Sequence, residues 1–209
     1  MKNKLVSLFA ITGLALAATQ VQANSLVDGS IEDGKAKSLT CTACHGPEGN
    51  SVSPMWPNIA GQNAPYLLAQ LTAFKEGSRT DPLMSAQAMM LSDQDMADLA
   101  VYFESLPAAA QSVKDASTVS RGETLYRGGD TESGISACLA CHGPTGRGNP
   151  AAKYPALQGQ HADYTAKQLN DYASGARKSD GKARIMRDIA ARLSKEDIAA
   201  LSSYVQGLK

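Results

Sequence analysis

The sequence predicts an all-α fold, built twice in tandem. Apolar and small residues recur at helical spacing, as Met96, Leu99, Ala100, Phe103 and Leu106, and again as Ile198, Leu201, Ser202 and Val205. No alternating strand pattern appears anywhere. An internal repeat then runs through most of the 209 residues, which points to two homologous domains rather than one.

In chain order, Met1–Ala23 has Lys2 and Lys4, an apolar run from Leu5 to Ala18, and Val21-Gln22-Ala23 at its end. A charged start, a short apolar core and small residues at the cut describe a secretory signal peptide, cleaved near Ala23. The run is too short to span a bilayer comfortably. An uncleaved N-terminal anchor is the rival reading. The expected division is 1–23 signal peptide, 24–106 first domain, 107–118 linker and 119–209 second domain. The joint lies around Pro107–Ser117, a stretch containing Ala, Ser and Gln and without periodicity.

Each domain opens with a short helix, expected around Gly34–Leu39 and Arg121–Tyr126, followed by Cys41-Thr42-Ala43-Cys44-His45 or Cys138-Leu139-Ala140-Cys141-His142. Cys-x-x-Cys-His is the pattern of c-type haem attachment: both thiols add to the porphyrin vinyls and the next histidine turns to the iron. The two copies use all four cysteines and two of the three histidines. A zinc site would place its pairs about 15–20 residues apart, far closer than these. Structural disulfides or a redox dithiol suit an oxidising compartment. Neither explains a histidine after each second cysteine.

The repeat continues. Gly61-Gln62 with Tyr66 matches Gly159-Gln160 with Tyr164, Gln70-Leu71 matches Gln168-Leu169, and Gly77 with Arg79 matches Gly175 with Arg177. Pro65 opens a helix that Gly77 closes. Ser92-x-x-Asp95 and Ser194-x-x-Asp197 resemble capping boxes that start the last helix of each domain. Aromatic residues are only 5% of the chain, so the haem is expected to supply much of each small core.

A thioether at the sixth iron position would close the metal and raise its potential; an open position would permit peroxide or oxygen chemistry. Met186 is the single methionine of the second domain and lies seven residues before Leu193. Seven residues before Leu91 is Met84. Met96 falls on the apolar face of its helix, Met89 and Met90 have no counterpart in the second copy, and Met55 follows the first motif too closely. Methionine is in general more often core filler than ligand, but the positional match favours Met84 and Met186. His161 corresponds to Asn63 and reads as a surface or packing residue rather than a ligand. Pro57 and Pro155 follow the two motif histidines at similar distances. A backbone carbonyl there would fix the imidazole tautomer by accepting from Nδ1, or either proline is simply a turn former.

The duplicated CxxCHGPxG motif, the Gly-Gln-x-x-x-Tyr segments, the two placed methionines and the ending Asp197-Ile198-Ala199-Ala200-Leu201-Ser202-Ser203-Tyr204-Val205-Gln206-Gly207-Leu208 closely resemble the cytochrome c4 family, over essentially the whole mature chain. The resemblance implies two tandem class I cytochrome c-like domains, each a few short helices around one covalently bound haem c. Cys41, Cys44, His45 and Met84 would hold the first haem, and Cys138, Cys141, His142 and Met186 the second. It also implies a soluble periplasmic electron carrier of a respiratory chain. Its donor would be a quinol-oxidising complex and its acceptor a haem-copper terminal oxidase. No catalytic residue, nucleic acid or small-molecule substrate is expected, and any membrane association would come through partners. The rivals are a dihaem peroxidase-like enzyme with one open iron and a cytochrome subunit bound tightly to a membrane oxidoreductase.

The zero formal net charge hides opposed halves. Residues 24–106 carry four Lys/Arg against ten Asp/Glu, a balance of −6, and residues 107–209 carry fourteen against ten, a balance of +4. Solvated surface is one reading; opposed fields that align the domains and orient docking are the other.

Overall fold

The computed structural model describes residues 26–209, so the expected signal peptide and its cleavage point lie outside the described residues. Ten α-helices follow in two sets of five. The first set is α1 (Ile31–Lys37), α2 (Leu39–His45), α3 (Ala64–Lys75), α4 (Pro82–Met89) and α5 (Asp93–Ser105). The second is α6 (Val119–Gly128), α7 (Leu139–His142), α8 (Ala162–Ser174), α9 (Ile185–Ala190) and α10 (Lys195–Gln206). Extended pairing among the described residues is limited to two isolated bridges, Asp130–Ile135 and Asn149–Tyr154.

Within each set the first and last helices cross closely, and glycine sets how closely. A Cβ at Gly34 would lie 2.1 Å from the Asp98 carbonyl oxygen of α5, and one at Gly122 would lie 2.5 Å from that of Ala200 in α10. The last helices start as their sequences predict. Asp95 N–H donates to Ser92 Oγ while Ser92 N–H donates to Asp95 Oδ2, and Ser194 and Asp197 repeat the exchange. Met96, Leu99, Ala100 and Phe103 of α5 are buried, as are Ile198, Leu201, Ser202 and Val205 of α10. Leu125, Tyr126, Ile135, Leu201, Tyr204, Val205 and Leu208 form the second domain's core, with the Tyr126 and Tyr204 rings 5.6 Å apart.

The segment after α5 is tied down despite its lack of periodicity. Gln111 donates to the Gly159 carbonyl, the Asp115 amide to Ser203 Oγ, and Gln206 to the Ser112 carbonyl. A 3₁₀ turn at Ala116–Thr118 then leads into α6. The connection therefore runs along the second domain as a bonded strap.

Candidate functional site

Cys41, Cys44 and His45 share α2, and Cys141 and His142 share α7 with Cys138 as its N-cap. Helical geometry puts residues three apart on one side, so each pair of thiols is presented together with the histidine next in line. Gly46 (φ +80°) and Gly143 (φ +77°) end the helices immediately after the histidines, in a conformation that side-chain-bearing residues rarely adopt. None of the four cysteines is paired in a disulfide.

Both motif histidines are buried, at 7% and 6% exposure. His45 Nδ1 lies 2.9 Å from the Pro57 carbonyl oxygen and His142 Nδ1 lies 3.0 Å from that of Pro155. A carbonyl can only accept, so Nδ1 carries the proton and Nε2 is left with the lone pair that binds metals. Burial pushes both imidazoles below the usual histidine value, with the carbonyl bond opposing it. Neutral rings with a fixed tautomer beside paired cysteines that form no disulfide are a donor set that fits covalently held haem.

The predicted methionines sit on separate helices. Met84, half-buried, lies in α4, which packs on α3; Met186, half-buried, lies in α9, which packs on α8. Asp81 caps α4 and accepts from the amides of Leu83 and Met84, both at 3.0 Å, so it fixes the backbone at that methionine. Asp180 does related work before α9, accepting from the Arg187 amide at 3.0 Å and its Nε at 2.7 Å. Met55, Met89 and Met90 are exposed, and Met96 is buried at 2% on the apolar face of α5, where its spacing put it.

His161 packs between the domains. Its Nε2 donates to the Ser51 carbonyl at 2.9 Å and its Nδ1 accepts from Gln111. Its counterpart Asn63 reaches the other way, to the Arg147 and Tyr154 carbonyls. The two repeats thus face each other about an approximate two-fold axis. At the centre lie Tyr66, Gln70 and Arg79 against Tyr164, Gln168 and Arg177. Sequence reasoning found these six only as repeat matches. Their persistence through the repeat was the available signal, since nothing in composition marks an interface.

The family model for cytochrome c matches residues 31–107 and 119–209. A cytochrome c4 of Azotobacter vinelandii is 47% identical to the chain and each covers 100% of the other. The crystal structure of reduced recombinant cytochrome c4 from Pseudomonas stutzeri matches with a TM-score of 0.84 at 46% identity, covering 87% of this chain and 100% of its own. A thiosulfate dehydrogenase electron acceptor of Stutzerimonas stutzeri (strain A1501) is 35% identical, over 79% of this chain and 77% of that protein.

Proposed function

The chain belongs to the cytochrome c4 family of dihaem electron-transfer cytochromes, and from that premise we propose that it is a soluble periplasmic carrier, exported by residues 1–23, with no catalytic site of its own. Two covalently attached haem c groups supply the one-electron iron couple. Cys41 and Cys44 would hold the first through thioether bonds, with His45 and Met84 as its axial ligands. Cys138, Cys141, His142 and Met186 would hold the second. The proposed domain limits are 24–106 and 119–209, joined by 107–118.

The observation that carries this reading is the pinned histidine pair. Each Nδ1–H is committed to a proline carbonyl, so each imidazole is ready as a ligand through Nε2 without rearrangement. Ligands held this way in both oxidation states suit outer-sphere electron transfer, and no nucleophile or general base is needed. No helix among the described residues is long and apolar enough to cross a membrane. In a respiratory chain the donor would be a quinol-oxidising complex and the acceptor a haem-copper terminal oxidase. The relative named a thiosulfate dehydrogenase electron acceptor supports a second donor class, a thiosulfate dehydrogenase feeding the same carrier.

The test is an optical spectrum of the purified protein, oxidised and reduced, with and without carbon monoxide, plus a haem count. Two low-spin haems with the weak near-infrared band of Fe(III)–Met ligation and no carbon monoxide response are expected. A high-spin or carbon monoxide-binding iron would mean an open site and an enzyme-like role for that domain.

A further inference from the structure

The peptide unit that receives each histidine proton is gripped by the other domain. The Pro57 carbonyl accepts from His45 Nδ1, and the N–H of that same peptide, belonging to Asn58, donates to Gln160 Oε1 at 2.9 Å. Gln160 Nε2 donates to the next carbonyl, that of Asn58, at 2.8 Å. The second domain mirrors this. The Pro155 carbonyl accepts from His142 Nδ1, Ala156 N–H donates to Gln62 Oε1 at 2.7 Å, and Gln62 Nε2 donates to the Ala156 carbonyl at 2.9 Å. Gln62 and Gln160 are buried, at 7% and 9% exposure, so water does not compete freely for these bonds.

We propose that Gln62 and Gln160 are crossed positioning residues: each sets the strength of the axial histidine in the opposite domain, Gln160 acting on His45 and Gln62 on His142. The inference rests on the reading that these histidines ligate the irons. A peptide whose N–H is engaged by a good acceptor becomes a better acceptor at its own oxygen, because bonds in a chain polarise one another. A stronger Nδ1–H···O bond makes the imidazole a stronger donor at Nε2, and a more basic ligand favours the ferric ion. Loss of the glutamine amide should therefore make the opposite iron easier to reduce. The bidentate grip also fixes the proline loop, and with it the ring orientation. Each iron's environment would then depend on the two domains being docked, and opening the interface would change both potentials together.

The test uses the full two-haem protein with Gln160→Met and Gln62→Met, which keep the side-chain length but remove the amide. Spectroelectrochemical titration follows each haem, with haem methyl resonances assigning them. Gln160→Met should favour reduction of the first haem by roughly threefold in its reduction equilibrium, about 30 mV at 59 mV per decade. The second haem should change by less than about 1.5-fold, and Gln62→Met should give the mirror result. In the reduced protein, the His45 Nδ1–H resonance should move upfield in Gln160→Met while that of His142 stays in place. His161→Ala, which removes one side-chain bond across the same interface while the glutamines keep the domains docked, should leave both equilibria within about 1.5-fold of wild type. Shifts of the haem in the glutamine's own domain, equal shifts of both haems, or no shift would each overturn the proposal. Absence of two histidine-ligated irons in the wild-type spectrum would overturn the ligand reading itself. An intact wild-type spectrum with uncrossed shifts would overturn only the glutamines' role.

Discussion

Arg177 Nη2 donates to the Tyr66 hydroxyl at 2.8 Å across the boundary between the domains, and Arg79 Nη2 returns the contact to Tyr164 at 3.0 Å. Both guanidiniums also bond Gln70 Oε1 and Gln168 Oε1. Neither arginine takes part in an ion pair among the described residues, although Arg177 is only 5% exposed. A buried cation is tolerable here because its planar fork meets several neutral oxygens at once, a geometry that an ammonium does not reproduce.

Arg177→Lys is therefore expected to destabilise the docked protein by about 1–3 kcal/mol, read from urea unfolding of the holo-protein. The tyrosine gives a second readout. Burial alone would push Tyr66 up, but the Arg177 and Arg79 charges outweigh it and bring the phenol below the usual tyrosine value. The Tyr66 ring-carbon resonance should titrate earlier than an exposed tyrosine in the wild type. In Arg177→Leu its titration should move to higher pH. A tyrosine indifferent to that substitution would remove the electrostatic role assigned to the arginine.

The acid limb of stability should depend on the last-helix caps. The hydrogen bond from Lys37, followed by those from Ser92, holds the Asp95 carboxyl down to about 2. A group depressed in the folded state contributes stability that is complete above the unfolded carboxylate value, about 4, and is lost as pH falls towards 2. Asp197 is lowered as well, first by Arg121, with burial opposing. Asp95→Asn should thus be less stable than wild type at pH 7, and should lose less than wild type does between pH 4 and pH 2. Parallel losses in both proteins would show that the carboxylate is not the titrating group.

The two crossing glycines should resist replacement for a different reason from glycines in open turns. Gly34→Ala and Gly122→Ala force a methyl into a backbone carbonyl across the helix contact, and overpacking of this kind costs about 1–3 kcal/mol. Gly77 has open space around its Cβ position and only its φ of +76° to constrain it, so Gly77→Ala should cost about 1–2 kcal/mol from backbone strain alone. Adding Gly77→Asn, which tolerates that conformation, separates the two causes. It should recover most of the loss at position 77, whereas Gly34→Asn should be worse than Gly34→Ala.

Much of this architecture is legible before any coordinates. Caps at Ser92 and Ser194, the start near Pro65 and the core faces of α5 and α10 are local signals, and local signals survive into the fold. The proline carbonyls are readable too, because similar spacings in a repeat, twelve residues from His45 to Pro57 and thirteen from His142 to Pro155, point to similar geometry. The helix that carries Met84 is not marked by periodicity: Asp81 and Pro82 start α4, but its eight residues show no clear apolar stripe. The grip of Gln62 and Gln160 was illegible for a different reason. It depends on how two domains dock, and no single repeat encodes that arrangement.

The charge imbalance resolves to one place. Gly77 to Met84 is a separation of seven residues and Gly175 to Met186 one of eleven, so the second domain has four extra residues before its methionine. Residues 178–195 hold six cations (Lys178, Lys182, Arg184, Arg187, Arg192 and Lys195) against Asp180 and Asp188, a balance of +4 that equals the whole excess of residues 107–209. All but Arg187 of these cations are exposed. Oxidation of the reduced second haem by ferricyanide should therefore be fast at low ionic strength and slow as salt is added, while oxidation by the cationic tris(phenanthroline)cobalt(III) should show the opposite trend. Lys178→Gln, Lys182→Gln and Arg192→Gln together should cut the ferricyanide rate at low salt by about threefold or more. Neutralising Arg127, Lys167 and Lys209 removes the same charge elsewhere on the domain and should change it by less than about 1.5-fold. Equal effects of the two triple variants would mean that net charge governs encounter and that the placement of cations around Met186 does not.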